Sequence, residues 1–239
     1  MNNPITFKSK ILENERAIWF RQPKSGVDQN KLAIFLDGEL YHKLGVSEII
    51  DRSEEANAID DTLFVFVSYG TVDDRWKECP CYPKFANFIA DELLPLIVEQ
   101  FPSVNAVHDR TLIGLSYTGL AAAYTALEKV GLFNNVIAQS GSLWWNDCYL
   151  AKQFESSTTN IPTRFYLDVG QAETEGYVEH KEDVIQRVSQ ISAVQQFRDV
   201  LQTKNIDVIY IEFDGGHDFE SWAKTLPGAL SWALSRASA

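Results

Sequence analysis

Short apolar runs recur along the chain at Ala17–Phe20, Leu32–Leu36, Leu63–Ser68, Thr111–Leu115, Val136–Gln139, Arg164–Val169 and Val208–Phe213. They are rich in β-branched and aromatic residues and nearly all end in Gly, Asp or Ser, which predicts strands. Between them apolar residues fall three and four apart over Pro83–Phe101, Thr118–Val130, Ile185–Gln202 and Phe219–Ser235, the spacing of a helix face. Strand followed by helix, repeated, implies an α/β fold: a mainly parallel sheet with helices on both faces. The first two runs are joined through Pro23-Lys24-Ser25-Gly26, with no room for a crossover helix, so an antiparallel hairpin is expected there. The acidic stretch Asp51–Asp61 reads as a solvated loop between strands. No repeat, low-complexity tract or Pro/Ser-rich linker interrupts residues 1–239, and one domain is the expectation.

At 239 residues, with 45% apolar and 12% aromatic positions, the chain can build a large core without disulfides or metal staples. Its 21 Lys and Arg stand against 33 Asp and Glu, a formal charge of −12, which opposes binding to phosphate polymers or anionic lipid. Nucleic acid and membrane partners are therefore not expected. No apolar run approaches the roughly 20 residues needed to span a bilayer. Met1–Thr6 lacks a basic start followed by an apolar stretch, so a cytoplasmic location is the expectation. Cys79, Cys81 and Cys148 form an odd set without zinc-site spacing and read as free thiols; no metal or other cofactor is expected.

The chemistry concentrates where Thr111–Leu115 runs into Gly114-Leu115-Ser116-Tyr117-Thr118-Gly119 and the small-residue start Leu120-Ala121-Ala122-Ala123. A serine at the apex of a sharp strand-to-helix turn stands clear of the sheet, provided its neighbours are small and the backbone tolerates strain. Gly114 meets that demand, whereas Thr118 stands where the strict motif has glycine. Ser116 could otherwise cap the helix, but its place after an inner strand makes it the candidate nucleophile. His217 follows the run Val208–Phe213 within Asp214-Gly215-Gly216-His217-Asp218 and is the candidate base, on a loop that can reach over the serine. His42, His108 and His180 read as surface or structural. The order serine, acid, histidine places the acid after Arg164–Val169. Glu173 is the first choice, with Asp168 and Glu175 as alternatives.

Ser140, Ser142, Trp144 and Trp145 follow the strand beside the nucleophile strand, at the sheet edge where ligands gather. They would wall a pocket suited to an aryl or catechol acyl group, although a buried tryptophan pair fits as well. Arg75, in Asp74-Arg75-Trp76-Lys77-Glu78, would either meet an anionic substrate or lie on a solvated loop.

Taken together, Asn14–Trp19, Phe35-Leu36-Asp37-Gly38-Glu39, Glu92–Ile97 after Arg75 and Glu78, Gly114–Ala121, Gln139–Trp145 and Gly215-Gly216-His217-Asp218 with Trp222 resemble the enterochelin (siderophore) esterase family. That family lies within the esterase D-like group that includes S-formylglutathione hydrolase, feruloyl esterases and mycolyltransferases. The resemblance implies an α/β-hydrolase fold, with Ser116 as nucleophile, His217 as base and Glu173 as acid. It also implies that the loop Asp37-Gly38-Glu39-Leu40 supplies one oxyanion N–H, from Glu39 or Leu40, and Tyr117 the other. The activity it implies is cofactor-free serine esterase chemistry, through an acyl-enzyme, on a small-molecule ester such as the siderophore enterobactin. Alternatives are an acetyl or feruloyl carbohydrate esterase, a small-thioester hydrolase, or a non-catalytic binding protein that keeps the pocket. The family usually has glycine where Thr118 stands, and its members often carry a further N-terminal domain.

Overall fold

The computed structural model describes residues 3–24 and 31–235. These form an eight-stranded mixed sheet from β1 (Ile5–Lys8), β2 (Glu15–Arg21), β3 (Lys31–Leu36), β4 (Thr62–Val67), β5 (Asp109–Leu115), β6 (Asn135–Gln139) and β7 (Arg164–Gly170), with β10 (Val208–Phe213) at the far edge. A separate two-stranded hairpin pairs β8 (Val178–Lys181) with β9 (Val184–Gln186). The order across the main sheet is β1-β2-β4-β3-β5-β6-β7-β10. β1 and β2 are antiparallel, β2 runs antiparallel to β4, and every later pairing is parallel.

Burial on both faces explains why the inner strands read as continuous apolar runs. In β3, Leu32, Ile34 and Leu36 pack toward one helical layer, built from α4 (Pro83–Phe88), α5 (Leu94–Gln100), α6 (Ser116–Glu128), α7 (Trp145–Ser156) and α8 (Gln190–Thr203). The alternate residues Ala33 and Phe35 pack toward α1 (Gly38–Leu44), α2 (Val46–Glu55) and α9 (Phe219–Leu234). The helix predicted over Pro83–Phe101 is divided by a π-turn at Ile89–Leu93. Pro95 has no N–H to return to the Asp91 carbonyl, so the α-helical ladder cannot run through unbroken.

Three expectations are corrected. β2 and β3 do not form a hairpin, because β4 is inserted between them and pairs with both; Ser25 and Gly26 of the predicted turn lie outside the described residues. The acidic stretch is not all loop: α2 runs to Glu55, and Asp51 and Glu54 receive the Arg21 guanidinium. The helix predicted from Ile185 starts at Gln190, and Ile185 belongs to β9. α1, α3 (Val72–Glu78), α7 and the β8–β9 hairpin were not visible as patterns. The three cysteines are free, and among the described residues no helix is long and apolar enough to cross a membrane.

Candidate active site

β5 and α6 meet at Ser116, whose φ is +52°, a left-handed conformation that costs about 1–3 kcal/mol in a non-glycine residue. The turn is held by close approach on both sides. A Cβ at Gly114 would overlap the Thr118 carbonyl, and one at Gly119 would sit 2.9 Å from Gly141 Cα. The need for small residues therefore falls on positions 114 and 119. Thr118 does not crowd the turn: its hydroxyl oxygen accepts from Leu115 N–H at 3.1 Å and lies 3.1 Å from Asp37 Oδ2.

The loop after β10 carries His217 over this turn. Its Nε2 is 2.9 Å from Ser116 Oγ and its Nδ1 is 2.7 Å from Glu173 Oε2. The Glu173 side chain is 3% exposed, and its other oxygen accepts from Gly170 N–H at 2.8 Å and from Ser140 Oγ at 2.6 Å. Of the three carboxylates weighed from sequence, Glu173 is thus the one bonded to the imidazole. Asp168 is fully buried and accepts from Ser140 N–H at 3.0 Å. Burial pushes the Asp168 carboxyl up to about 7. Glu175 lines the cavity described below. Trp222 meets the His217 ring edge-on, with centroids 4.8 Å apart, and its Nε1 donates to Ser140 Oγ at 3.1 Å. Ser140, with φ +41°, was expected in the pocket wall; it instead bonds the buried acid and Trp222.

Tyr117 is the second residue of α6, where a backbone N–H has no acceptor within the helix. Leu40 does not offer the matching donor: its N–H is spent on the Asp37 carbonyl at 2.8 Å, closing the first turn of α1. Glu39 lies one residue earlier in that turn. Burial pushes its carboxyl up to about 7, against hydrogen bonds from the N–H groups of Glu39 itself and of Tyr69.

A cavity of about 420 Å³ opens beside Ser116 and His217, walled by Trp76, Tyr117, Ser142 and Trp144 and, from the hairpin, by Val178, His180 and Gln186. His180 is exposed, as expected, but it also has packing partners. It stacks on Trp144 with centroids 4.7 Å apart and planes 7° apart, and its Nε2 lies 2.9 Å from Gln186 Oε1. Trp145 turns away from this cavity, packs edge-on against Tyr149 and lines a separate hollow with Asp147 and Arg187. Arg75 reaches the cavity wall but is neither free nor solvated. Its Nε and Nη2 donate to Asp37 Oδ2 at 2.9 and 2.7 Å, and Asp37 is fully buried. Among the described residues, no group of three His, Cys, Asp or Glu side chains is placed to hold a metal ion.

Residues 9–233 match the family model described as "Putative esterase". The iron(III) enterobactin esterase of Dickeya dadantii is 28% identical over 239 residues, covering 97% of this chain and 54% of that protein. The protein of the same name from Escherichia coli K12 is 28% identical over 228 residues, covering 91% and 53%. The chain thus spans about half the length of these curated relatives. The solved enterochelin esterase of Shigella flexneri superposes with a TM-score of 0.84 at 24% identity, covering 96% of this chain and 57% of that one. The mostly parallel sheet flanked by helices is accordingly an α/β-hydrolase fold, and the chain belongs to the family of esterases that this model describes.

Proposed function

We propose that the chain is a serine carboxylesterase that opens the ester bonds of a siderophore such as enterobactin. The observation that carries this reading is the continuous line Glu173–His217–Ser116, with contacts of 2.7 and 2.9 Å, at the mouth of an aromatic-walled cavity. His217 Nε2 takes the Ser116 proton as Oγ attacks the ester carbonyl, and returns it to the leaving alcohol as the acyl-enzyme forms. The same nitrogen then activates the water that releases the acid. Glu173 holds the Nδ1–H tautomer and stabilises the imidazolium. Tyr117 N–H donates to the oxyanion, where loss of one such donor removes about 3 kcal/mol of transition-state stabilisation. The siderophore assignment is supported by the relatives named for that activity and by Trp76, Tyr117 and Trp144 in the walls.

One observation favours a second reading, an uncharged aryl ester: Arg75 is held by Asp37, so its charge is already matched. The test is to incubate the protein and its Ser116→Ala variant with ferric and iron-free enterobactin, methyl ferulate and a short acetyl ester, and to read the products by mass spectrometry. Opening of the trilactone that depends on Ser116 and outpaces the simple esters is the expected result. Cleavage of the simple esters alone establishes the second reading, and products that persist in Ser116→Ala overturn both.

A further inference from the structure

We propose that the Thr118 hydroxyl is a positioning device for the Ser116 turn, pinning it to the buried Asp37–Arg75 ion pair; this rests on the hydrolase reading above. Thr118 is 2% exposed, and three groups converge on its Oγ1: Leu115 N–H at 3.1 Å, the Leu115 carbonyl at 2.9 Å and Asp37 Oδ2 at 3.1 Å. The hydroxyl has one proton to give. The carboxylate is the stronger acceptor, so the arrangement runs Leu115 N–H to Thr118 Oγ1, then Thr118 O–H to Asp37 Oδ2.

Both ends of this chain matter to the site. Leu115 immediately precedes Ser116, and Thr118 is one residue beyond Tyr117, whose N–H is the oxyanion donor in the proposed mechanism. Asp37 is anchored independently by three Arg75 hydrogen bonds, stands at φ +58° at the end of β3, and its carbonyl closes the turn containing Glu39. β3 and β5 are neighbours in parallel register, Phe35 beside Ile113, so the two loops leave the same edge of the sheet side by side. The contact between Thr118 and Asp37 is the side-chain bond joining them. A glycine at 118 would leave the strained turn to backbone packing and the Ser142 N–H bond to the Ser116 carbonyl at 2.9 Å. The threonine adds a directional tie, and displacements near 1 Å at such a site cost about 100-fold in rate.

The test compares Thr118→Val, which keeps the shape but removes the hydroxyl, with Thr118→Ser, which restores it, and with Thr118→Ala. Each is read for kcat, KM, melting temperature and affinity for a trifluoromethyl ketone that forms a tetrahedral adduct at Ser116. Thr118→Val and Thr118→Ala are expected to lower kcat about tenfold or more with KM within twofold, and to weaken the ketone by the same factor as kcat/KM. Thr118→Ser is expected to recover most of both. A purely structural threonine would shift melting temperature without splitting kcat from KM. Wild-type kcat in a folded Thr118→Val or Thr118→Ala overturns the proposal, as does a Thr118→Ser as impaired as Thr118→Ala; should the valine variant not fold, the alanine and serine variants decide. Ser116→Ala is run alongside. If it retains activity the hydrolase reading itself fails, whereas a dead Ser116→Ala beside a fully active Thr118→Val removes only the positioning role.

Discussion

Ser140 Oγ donates to Glu173 Oε1 at 2.6 Å, on the opposite side of the carboxylate from His217 Nδ1, which meets Oε2 at 2.7 Å. One short hydroxyl contact thus sets which way the buried acid faces. Ser140→Ala leaves Glu173 with the Gly170 N–H alone on that oxygen and strips Trp222 Nε1 of its acceptor. The expected outcome is a fall in kcat of between about 10- and 100-fold, the scale of a small misplacement at a reacting group. Steady-state kinetics on the Ser140→Ala protein check this, and an unchanged kcat removes Ser140 from the network.

Ser116→Ala and His217→Ala should each lower kcat by about 10⁴-fold or more. Glu173→Gln should cost less than either, because the acid orients and stabilises rather than transferring the proton. A covalent fluorophosphonate probe separates chemistry from folding: it should label the wild-type protein at Ser116 and fail on Ser116→Ala. Equal losses for all three variants would contradict the subordinate role of the acid.

Asp168 and Glu39 both have carboxyls raised to about 7, chiefly because burial penalises the charged form. Between roughly pH 4 and pH 7 the native state keeps protons on these groups that the unfolded chain has already released. More protons are then bound in the native than in the unfolded state, so their contribution to stability falls as pH rises through that window and is flat above it. Asp168→Asn should therefore gain in melting temperature relative to the wild type between pH 4.5 and pH 8. The same difference at both pH values would show that Asp168 does not titrate there.

Gly114→Ala places a methyl group on the Thr118 carbonyl, which belongs to rigid backbone. Relief requires moving the turn itself, so a loss of about 3 kcal/mol or more is expected, together with loss of activity. Thermal unfolding of the variant is the measurement, and a melting temperature within a degree or two of the wild type would mean the turn is more pliable than its geometry implies.

His180→Ala removes the ring that stacks on Trp144 across the cavity wall. An aromatic pair contributes about 0.5–1.5 kcal/mol, so KM for an aryl ester should rise by about twofold to tenfold while kcat changes little. A loss confined to kcat would place His180 in the chemistry instead of in the wall.

The inner strands were legible in the sequence because burial on both faces demands unbroken apolar runs, and β3, buried throughout, covers the predicted Leu32–Leu36. Ser116 and His217 could be read for a similar reason. The sharp turn at one and the glycine-rich excursion at the other are local features, written in adjacent residues. The tertiary structure decided what depends on pairing between distant segments. Nothing in β2, β3 or β4 states that β4 enters between the other two, since each is apolar enough to sit beside any neighbour. Glu173, Asp168 and Glu175 are close in sequence and chemically alike, and only the fold brings one of them to 2.7 Å from His217. The placing of Trp144, and not Trp145, in the wall of the Ser116 cavity and the return of the β8–β9 hairpin that sets His180 on Trp144 are of the same kind. Periodicity records which side chains leave water; which partner they meet there is settled by packing across the whole chain.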